Sequence, residues 1–289
     1  GALVGLFLAY CALKLRTNDA RNAPDAHWED FGGGVSESIS HSLGVRGCWL
    51  ANNWWTNHVE WAAWNARDKS RRWEPDYWGL CLSNDGIYQD LVQEVDAYLA
   101  QHPEVKSISL SNADMAFLCQ CENCRKVIRD AVGPDGVEYP SALNVNLLNR
   151  VAKHFEKKYP DVRFNMLAYG FSERGPSSPK IRMEPNTGVA WACLGGRNHG
   201  LPIYCSDVCQ PLLESWSRLT DHIYIWDYYA NFACFLLPFP NTDIIAPTMR
   251  YYKAHNIKGG FAQMPYGKCE QAADINRWLF AKMEWNPDQ

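Results

Sequence analysis

Two aspartates each follow an apolar run with β character, in the segments SLSNAD and IYIWDY. If the carboxyl groups of Asp114 and Asp227 face one cavity, they supply what glycosidic bond cleavage needs. One group protonates the leaving oxygen, and the other acts as nucleophile or activates water. We therefore predict Asp114 as the general acid and Asp227 as the base or nucleophile. The alternative is structural, because strand-end carboxylates often cap loops or accept backbone N–H groups.

Further polar and aromatic residues lie at or beyond the ends of predicted strands, where they could position a sugar. An arginine can hold a sugar carboxylate by a paired contact, and aromatic rings stack on flat apolar sugar faces. A histidine there could bind a substrate hydroxyl or shuttle a proton. The predicted substrate-binding residues are Arg16, Asn18, His41, Asn112, Tyr169, Trp191, Tyr228, Asn231 and Gln263.

Three cysteines lie within six residues shortly after Asp114, in the segment CQCENC. Cys119, Cys121 and Cys124 are too close together for three independent disulfides but are suited to binding one soft cation. A structural zinc site needs four ligands. We predict Cys205 as the fourth, with Cys209, Cys193 and His199 as alternatives. The competing interpretation is a mixture of free thiols and one or two disulfides, such as Cys121 with Cys124.

The predicted site residues are positioned by strands that alternate regularly with amphipathic helices from residue 85 onward. The predicted strands are VKSISLS, VRFNMLAY, GVAWACL, IYIWDY and KGGFAQ. The predicted helices between and around them are IYQDLVQEVDAYL, ALNVNLLNRVAKHF, PLLESWSRL, IIAPTMRYYKAHN and ADINRWLFAKMEW. This rhythm predicts βα units with parallel strands, whose carboxyl ends open into a shared mouth.

Two earlier segments, CALKLRTN and SISHSLG, are candidates for further strands. They bring the number of predicted strands to seven, and an eighth would lie just before Gly1. We therefore expect an α/β fold, a (β/α)8 TIM-type barrel that lacks its first strand, as a single domain over residues 1–289 of a longer protein. A doubly wound open sheet is the alternative, but no glycine-rich phosphate loop follows a predicted strand.

Composition limits the class of protein and its partners. A hydrophobic content of 47% with 21% charged residues indicates a globular chain, and a net charge of -4 gives no general attraction to nucleic acid. The apolar opening is soon interrupted by Lys14 and Arg16, so we predict no membrane span. Eleven cysteines cannot all pair within the chain, which leaves the redox compartment open.

Several short motifs occur in an order that resembles a known bacterial family. They are HSLG, HVEW, GLCLSND, CQC, LLNRVA, YPDV, LAY, IYIWDYYANF, KGGF and LFAKMEWNP, and they extend over about residues 10 to 287. This order and spacing resemble the family catalogued as domain of unknown function 4838, which is distantly similar to α-glucuronidase and β-hexosaminidase barrels. The matching positions are His41, Asp114, Cys119, Cys121, Cys124, Asp227, Tyr228 and Asn231.

The resemblance implies a TIM-type barrel that usually follows a separate α/β domain, and an exported glycoside hydrolase acting on uronic acid or N-acetylhexosamine type sugars. Gln263 departs from the family pattern, since many relatives have a carboxylate near that strand end. If that carboxylate is the base, this chain has lost it or uses Asp227 instead.

The sequence therefore supports three functional interpretations. The first is a glycosidase that uses a carboxylate pair and needs no cofactor for catalysis, with zinc in a structural role. The second is a noncatalytic glycan-binding barrel with the same cysteine site. The third, a zinc hydrolase, is disfavoured because three thiolates leave the metal little Lewis acidity.

Overall fold

The computed structural model describes residues 41–43, 57–71, 79–114, 117–192, 206–229, 241–263 and 273–288. Two compact units divide the chain. The larger unit contains residues 39–192 and 211–223, and the smaller contains residues 1–38, 193–210 and 224–289.

The larger unit is built on parallel strands. β1 (His41–Leu43) pairs with β5 (Ser111–Asn112), which continues the chain direction of β4 (Ser107–Ser109). β4 pairs with β6 (Arg163–Ala168), and β6 pairs with β7 (Thr187–Trp191), each in parallel. All residues of β7 are buried, as are all but the first of β6, which is typical of parallel strands covered on both faces.

Three helices connect these strands: α1 (Asp85–Gln101), α2 (Glu122–Asp130) and α3 (Ser141–Phe155). The Asn84 side chain caps α1 by accepting the Gly86 N–H at 2.8 Å. The predicted apolar stripe of Ile87, Leu91, Val95 and Leu99 is buried in α1, as i, i+4 spacing requires. A fourth helix, α4 (Cys209–Ser217), follows β7 in the sequence.

A small antiparallel hairpin precedes α1. It consists of β2 (Trp64–Asn65) and β3 (Ser70–Arg71), and Trp64 faces Arg71 in its register. A 3-10 turn at Val59–Trp61 leads into it, and Ala62 forms an isolated antiparallel bridge with Leu80. The hairpin was not expected from the sequence, because strands of two residues carry no detectable alternation.

The smaller unit contains the parallel pair β8 (Ile223–Tyr228) and β9 (Gly259–Gln263), with Tyr228 beside Gln263 in the register. Two helices accompany them, α5 (Thr242–Ala254) and α6 (Ala273–Trp285), and these pack against each other. Buried Asn276 of α6 donates to the Asn241 side chain at 2.7 Å, which ties α6 to the start of α5.

The structure confirms the predicted α/β class, with five parallel strands at the predicted segments and helices between them. SISHSLG does supply a strand, β1, whereas CALKLRTN lies outside the described residues. Closure into an eight-stranded barrel, and the single domain, stay predictions. Among the described helices, none has both the length and the apolar character needed to cross a bilayer.

Candidate functional site

The carboxyl end of β5 presents an exposed aspartate. Ser111 and Ala113 are buried, whereas Asp114, one residue further on, is exposed. Tyr169 lies at the corresponding end of β6 and is half-buried. The Tyr169 hydroxyl hydrogen-bonds the Asp114 carboxylate; burial, followed by the charge and hydrogen bond of Asp114, raises the pKa of Tyr169 to about 12. The phenol therefore stays protonated and donates to the carboxylate.

A buried network of serines fixes the strand that carries Asp114. The Ser111 hydroxyl accepts the Leu167 N–H of β6 at 2.9 Å, and the Ser111 N–H donates to Ser42 of β1 at 3.0 Å. Ser42 in turn donates to the Ser109 carbonyl at 2.7 Å. These bonds pair backbone groups where the strand is interrupted between β4 and β5. They hold the end of β5 between β1 and β6.

A second carboxylate, that of Glu173, lies near Tyr169. Its charge is among the causes that raise the pKa of Tyr169, and its side chain is half-buried. The backbone of Glu173 is fixed because its carbonyl accepts the indole N–H groups of Trp191 at 3.2 Å and Trp216 at 3.0 Å. Tyr169 is therefore influenced by two carboxylates of the larger unit, Asp114 and Glu173, and Glu173 was not singled out from the sequence.

Trp191 does not present a sugar-stacking face. It is the last residue of β7 and only 1% exposed, and its indole N–H is bound to the Glu173 carbonyl. This burial is typical of a packing residue, and the predicted substrate contact of Trp191 stays a prediction. A tryptophan at a strand end looks the same in sequence whether it lines the mouth or fills the core.

Asp227 is buried in the smaller unit, at 2% exposure. One carboxylate oxygen accepts the Tyr228 N–H at 2.9 Å, and the other accepts the hydroxyls of Tyr229 at 2.8 Å and Tyr252 of α5 at 3.2 Å. Three donors of the smaller unit thus bind this carboxylate, one of them from helix α5. Asp227 and Asp114 belong to different units, so the expectation that they share one cavity stays a prediction.

The structure describes the environment of some of the other predicted substrate-binding residues but not of all. Tyr228 is buried at 8% exposure, and the Gln263 side chain accepts the Trp226 indole N–H at 3.1 Å. Asn112 is half-buried at the end of β5, and His41 begins β1 beside Ser111 in the register. The predicted residues that lie outside the described ones are Arg16, Asn18, Asn231, Cys205 and the alternative ligands Cys193 and His199.

Four cysteines meet in the larger unit: Cys81, Cys119, Cys121 and Cys124. Their sulfur atoms all lie within 4.8 Å of one another, with Cys81 at 3.6 Å from Cys121 and 3.9 Å from Cys124. All four are free thiols, and Cys121 alone is half-buried while the others are buried. We call this group the four-cysteine cluster; it could hold a metal ion.

Local backbone geometry explains why the four sulfurs converge. Cys121 is the N-cap of α2 and Cys124 lies in its first turn, so both side chains project from the same helix end. Cys81 is brought in by the bridge beside the hairpin, where its N–H donates to the Trp61 carbonyl at 2.8 Å. Gly79 permits this approach, since a Cβ there would lie 2.2 Å from the Phe117 carbonyl oxygen.

The hairpin supplies donors to the cluster. The Trp64 N–H donates to the sulfur of Cys119 at 3.2 Å, and the Arg71 guanidinium lies 3.9 Å from the same sulfur. Burial alone would lower the pKa of Arg71, but its hydrogen bonds to Cys81 and Cys121 and the charges of Cys81 and Cys119 raise it overall. Arg71 is therefore a fixed cation beside the sulfur atoms.

The thiols share negative charge unequally. Contacts with Cys119 and Cys124, reinforced by Arg71 and Ser83, lower the pKa of Cys81 despite its burial. Contacts with Cys119 and Cys81, together with burial, raise the pKa of Cys124. The contact with Cys124 opposes the rise at Cys119, but Cys81 and burial outweigh it and give a pKa of about 11. Contacts among the sulfur atoms therefore lower the pKa of Cys81 and raise those of Cys119 and Cys124.

Cys81 was missed as a member of this group because it lies 38 residues before Cys119 and has no second cysteine close to it. The only sequence signal for Cys81 is the GLCLSND motif, which belongs to the family resemblance. Cys209, an alternative fourth ligand, is disulfide-bonded and therefore unavailable to a metal.

Parallel strands alternating with helices, with polar residues at the carboxyl ends, define the class as α/β. The chain belongs to the family described as "Domain of unknown function (DUF4838)", whose model matches residues 20–289. No curated protein matches the sequence.

Among solved structures, one similar chain is a sugar phosphate isomerase/epimerase from Parabacteroides distasonis ATCC 8503. It shares 10% identity at a TM-score of 0.33, over 70% of this chain and 64% of the other. The chain thus spans less than two thirds of that structure's length.

Proposed function

We propose that this chain hydrolyses a glycosidic bond of a uronic acid or N-acetylhexosamine type sugar. The observation that carries the proposal is the exposed Asp114 carboxylate at the carboxyl end of a parallel strand, held by the Tyr169 hydroxyl. In α/β barrels the catalytic groups are placed at this end of the strands.

The hydrogen bond from Tyr169 bears on which role Asp114 takes. A general acid must donate a proton to the leaving oxygen, whereas a base or nucleophile must be an ionised acceptor. As an acceptor of the Tyr169 hydrogen bond, the Asp114 carboxyl group is positioned as an acceptor, which is what a base or nucleophile requires. We therefore propose Asp114 as the base or nucleophile, in place of the acid role that the sequence suggested.

The second carboxylate of the pair has two candidates. Asp227 is the candidate from the sequence, but it is buried and accepts three hydrogen bonds. Glu173 is half-buried, belongs to the same unit as Asp114, and influences the same tyrosine. We favour Glu173 as the general acid and propose that Asp227 fixes β8 to α5.

The test is a screen of chromogenic uronides and N-acetylhexosaminides with the wild type and with Asp114→Asn. Loss of an acid, base or nucleophile reduces the rate by about 10²–10⁴-fold or more. Hydrolysis by the wild type that is unchanged in Asp114→Asn would remove Asp114 from the mechanism. Asp161→Asn is a matched control, because Asp161 is exposed just before β6 at the opposite end of that strand.

A noncatalytic glycan-binding role is the second candidate, and it is favoured by the burial of the Asp227 carboxylate, which already accepts three hydrogen bonds. If no glycoside in the screen is cleaved, calorimetric titration with the same sugars distinguishes the two roles. Binding without cleavage supports this alternative.

We also propose a structural rather than catalytic metal. A catalytic zinc keeps one position open for water or substrate, whereas four thiolates fill a tetrahedral site. Zinc at the four-cysteine cluster would stabilise the segment that follows Asp114 without entering the reaction.

An exported location is proposed as well. It is supported by the disulfide-bonded Cys209, because disulfides persist mainly in oxidising compartments.

A further inference from the structure

We infer that the four-cysteine cluster binds one Zn²⁺ in a closed site completed by Cys81, and that Arg71 offsets the negative charge of this site. The inference rests on the structural metal of the proposed function and adds two elements to it. These are the identity of the fourth ligand and the residue that makes a four-thiolate site tolerable inside the protein.

The spacing of the sulfur atoms fits a single ion. A zinc–sulfur distance of about 2.3 Å gives roughly 3.8 Å between sulfurs of a tetrahedral site. The separations of 3.6 Å and 3.9 Å from Cys81 to Cys121 and Cys124 match this edge. Disulfide sulfurs lie about 2.05 Å apart, and an iron–sulfur cluster separates its thiolates further because iron and sulfide lie between them.

The different oxidation states of the cysteines also support a bound metal ion. Cys209 is disulfide-bonded, whereas four cysteines with closely spaced sulfurs are free. Adjacent thiols in an oxidising environment pair readily, since an ionised thiol attacks its neighbour once an oxidant has activated it. A bound metal ion keeps all four sulfurs reduced by occupying their lone pairs.

The hairpin contributes a positive charge that offsets the negative charge of the metal site. Four thiolates around Zn²⁺ carry a net charge of about -2, which is costly in a buried site. Arg71 of β3 places its guanidinium 3.9 Å from the sulfur of Cys119 and anchors it on the Ala62 carbonyl at 2.5 Å. The Trp64 N–H adds a hydrogen bond to the same sulfur at 3.2 Å. Such outer contacts tune metal affinity.

The pairing of the hairpin with the CQC segment makes Arg71 part of the same local structure. The Gln120 N–H donates to the Trp64 carbonyl at 2.9 Å, and the Gln120 side chain accepts the Ala66 N–H at 2.9 Å. The position of the guanidinium is therefore coupled to that of the ligands, and a change at Arg71 acts on the metal through the sulfur of Cys119.

The ligand set is tested by metal analysis of the purified full chain together with Cys81→Ser and Cys205→Ser. We expect about one zinc per chain in the wild type and in Cys205→Ser, and substantially less in Cys81→Ser. The opposite pattern would assign the fourth ligand to Cys205. Zinc-free wild type that cannot be loaded with added Zn²⁺ would overturn both this site and the structural metal, but would leave the glycosidase proposal standing.

Cobalt substitution provides a measurement that does not depend on the folding of Cys81→Ser. Co²⁺ in the wild-type site should show the thiolate-to-metal charge-transfer absorption of four sulfur ligands. An absorption that corresponds to three thiolates or fewer would contradict the closed site. Iron in place of zinc in the purified protein would overturn the assignment of the metal.

The role of Arg71 is tested by chelator competition with Arg71→Gln, Arg71→Lys and, as a matched control, Arg67→Gln. Arg67 is exposed in the turn of the same hairpin. Loss of an outer-shell partner typically weakens metal binding by about 10–100-fold. We expect this loss in Arg71→Gln, a smaller one in Arg71→Lys and none in Arg67→Gln. Wild-type affinity in Arg71→Gln would overturn the charge role while leaving the metal site intact.

Discussion

Asp114 and Asp227 occupy similar positions in the sequence and opposite environments in the structure. Each ends an apolar strand, yet Asp114 is exposed and Asp227 is 2% exposed. Asp114 accepts a hydrogen bond from the half-buried Tyr169, whereas Asp227 accepts three donors, two of which are buried tyrosines. A buried carboxylate that already accepts three hydrogen bonds has little capacity left to bind a substrate or exchange a proton with one.

The contrast shows that strand-end position alone does not define a catalytic residue. In parallel strands the side chains alternate between the two faces, and one of these faces is covered by helices. Asp227 meets Tyr252 of helix α5, so it belongs to the packed face. The comparison predicts that changes near Asp114 alter activity and that changes near Asp227 alter stability.

Among the substitutions that test this comparison, we expect the largest loss of hydrolytic rate at Glu173. If Glu173 is the partner of Asp114, Glu173→Gln reduces hydrolysis by about 10²–10⁴-fold, because a catalytic proton donor is lost. Steady-state kinetics of the variant check this, with Glu138→Gln as the control at an exposed position. If Asp227→Asn abolishes activity in a folded protein while Glu173→Gln does not, Asp227 is restored as the partner and the comparison fails.

A second buried carboxyl in the smaller unit should affect stability in a pH-dependent manner. Burial raises the pKa of Glu284 to about 8, although the Gly260 N–H donates to it. The folded state therefore keeps a proton that the unfolded chain releases, and stability falls as pH rises between about 4.5 and about 8. Glu284→Gln should be about 2–4 kcal/mol more stable than the wild type at pH 8 and similar to it near pH 4.5.

Denaturant unfolding across this pH range provides the measurement. Glu214→Gln on the exposed face of α4 should retain the pH dependence of the wild type. A stability difference between wild type and Glu284→Gln that is constant with pH would show that Glu284 is ionised in the folded protein.

The smallest effect is expected at Tyr169. Tyr169→Phe removes one hydrogen bond to a charged carboxylate, which is worth about 1.5 kcal/mol, or roughly tenfold in rate. Tyr159→Phe is a matched control, since the Tyr159 hydroxyl donates to Asp96 at 2.9 Å, between α1 and the loop before β6. Equal losses of hydrolysis in the two variants would indicate that Tyr169 acts through general stability rather than through Asp114.

The sequence was sufficient for those parts of the fold that periodicity determines. Five parallel strands and the buried face of α1 follow from alternating and i, i+4 patterns, and both are present. The three clustered cysteines are brought together as their spacing suggested. Cys81 and the hairpin with Arg71 could not be predicted, because their contacts depend on a close approach at Gly79 rather than on local pattern.

The direction of side chains at strand ends could not be predicted from the sequence either. Trp191 and Asp227 follow apolar runs as Asp114 does, and only tertiary contacts show that both are buried. The donors that satisfy Asp227, from Tyr229 and Tyr252, come partly from a helix that begins 15 residues later in the sequence. No local signal distinguishes such a carboxylate from an open one.

Equilibrium unfolding of Asp114→Asn and Asp227→Asn, measured side by side, is the most direct test of the contrast between these residues. In Asp227→Asn, the amide N–H₂ group faces at least one of the three groups that now donate to the carboxylate. We therefore expect the free energy of unfolding to fall by about 2–3 kcal/mol. The exposed Asp114→Asn change should stay within about 0.5 kcal/mol of the wild type. Equal destabilisation by the two substitutions, or wild-type stability in Asp227→Asn, would contradict the account.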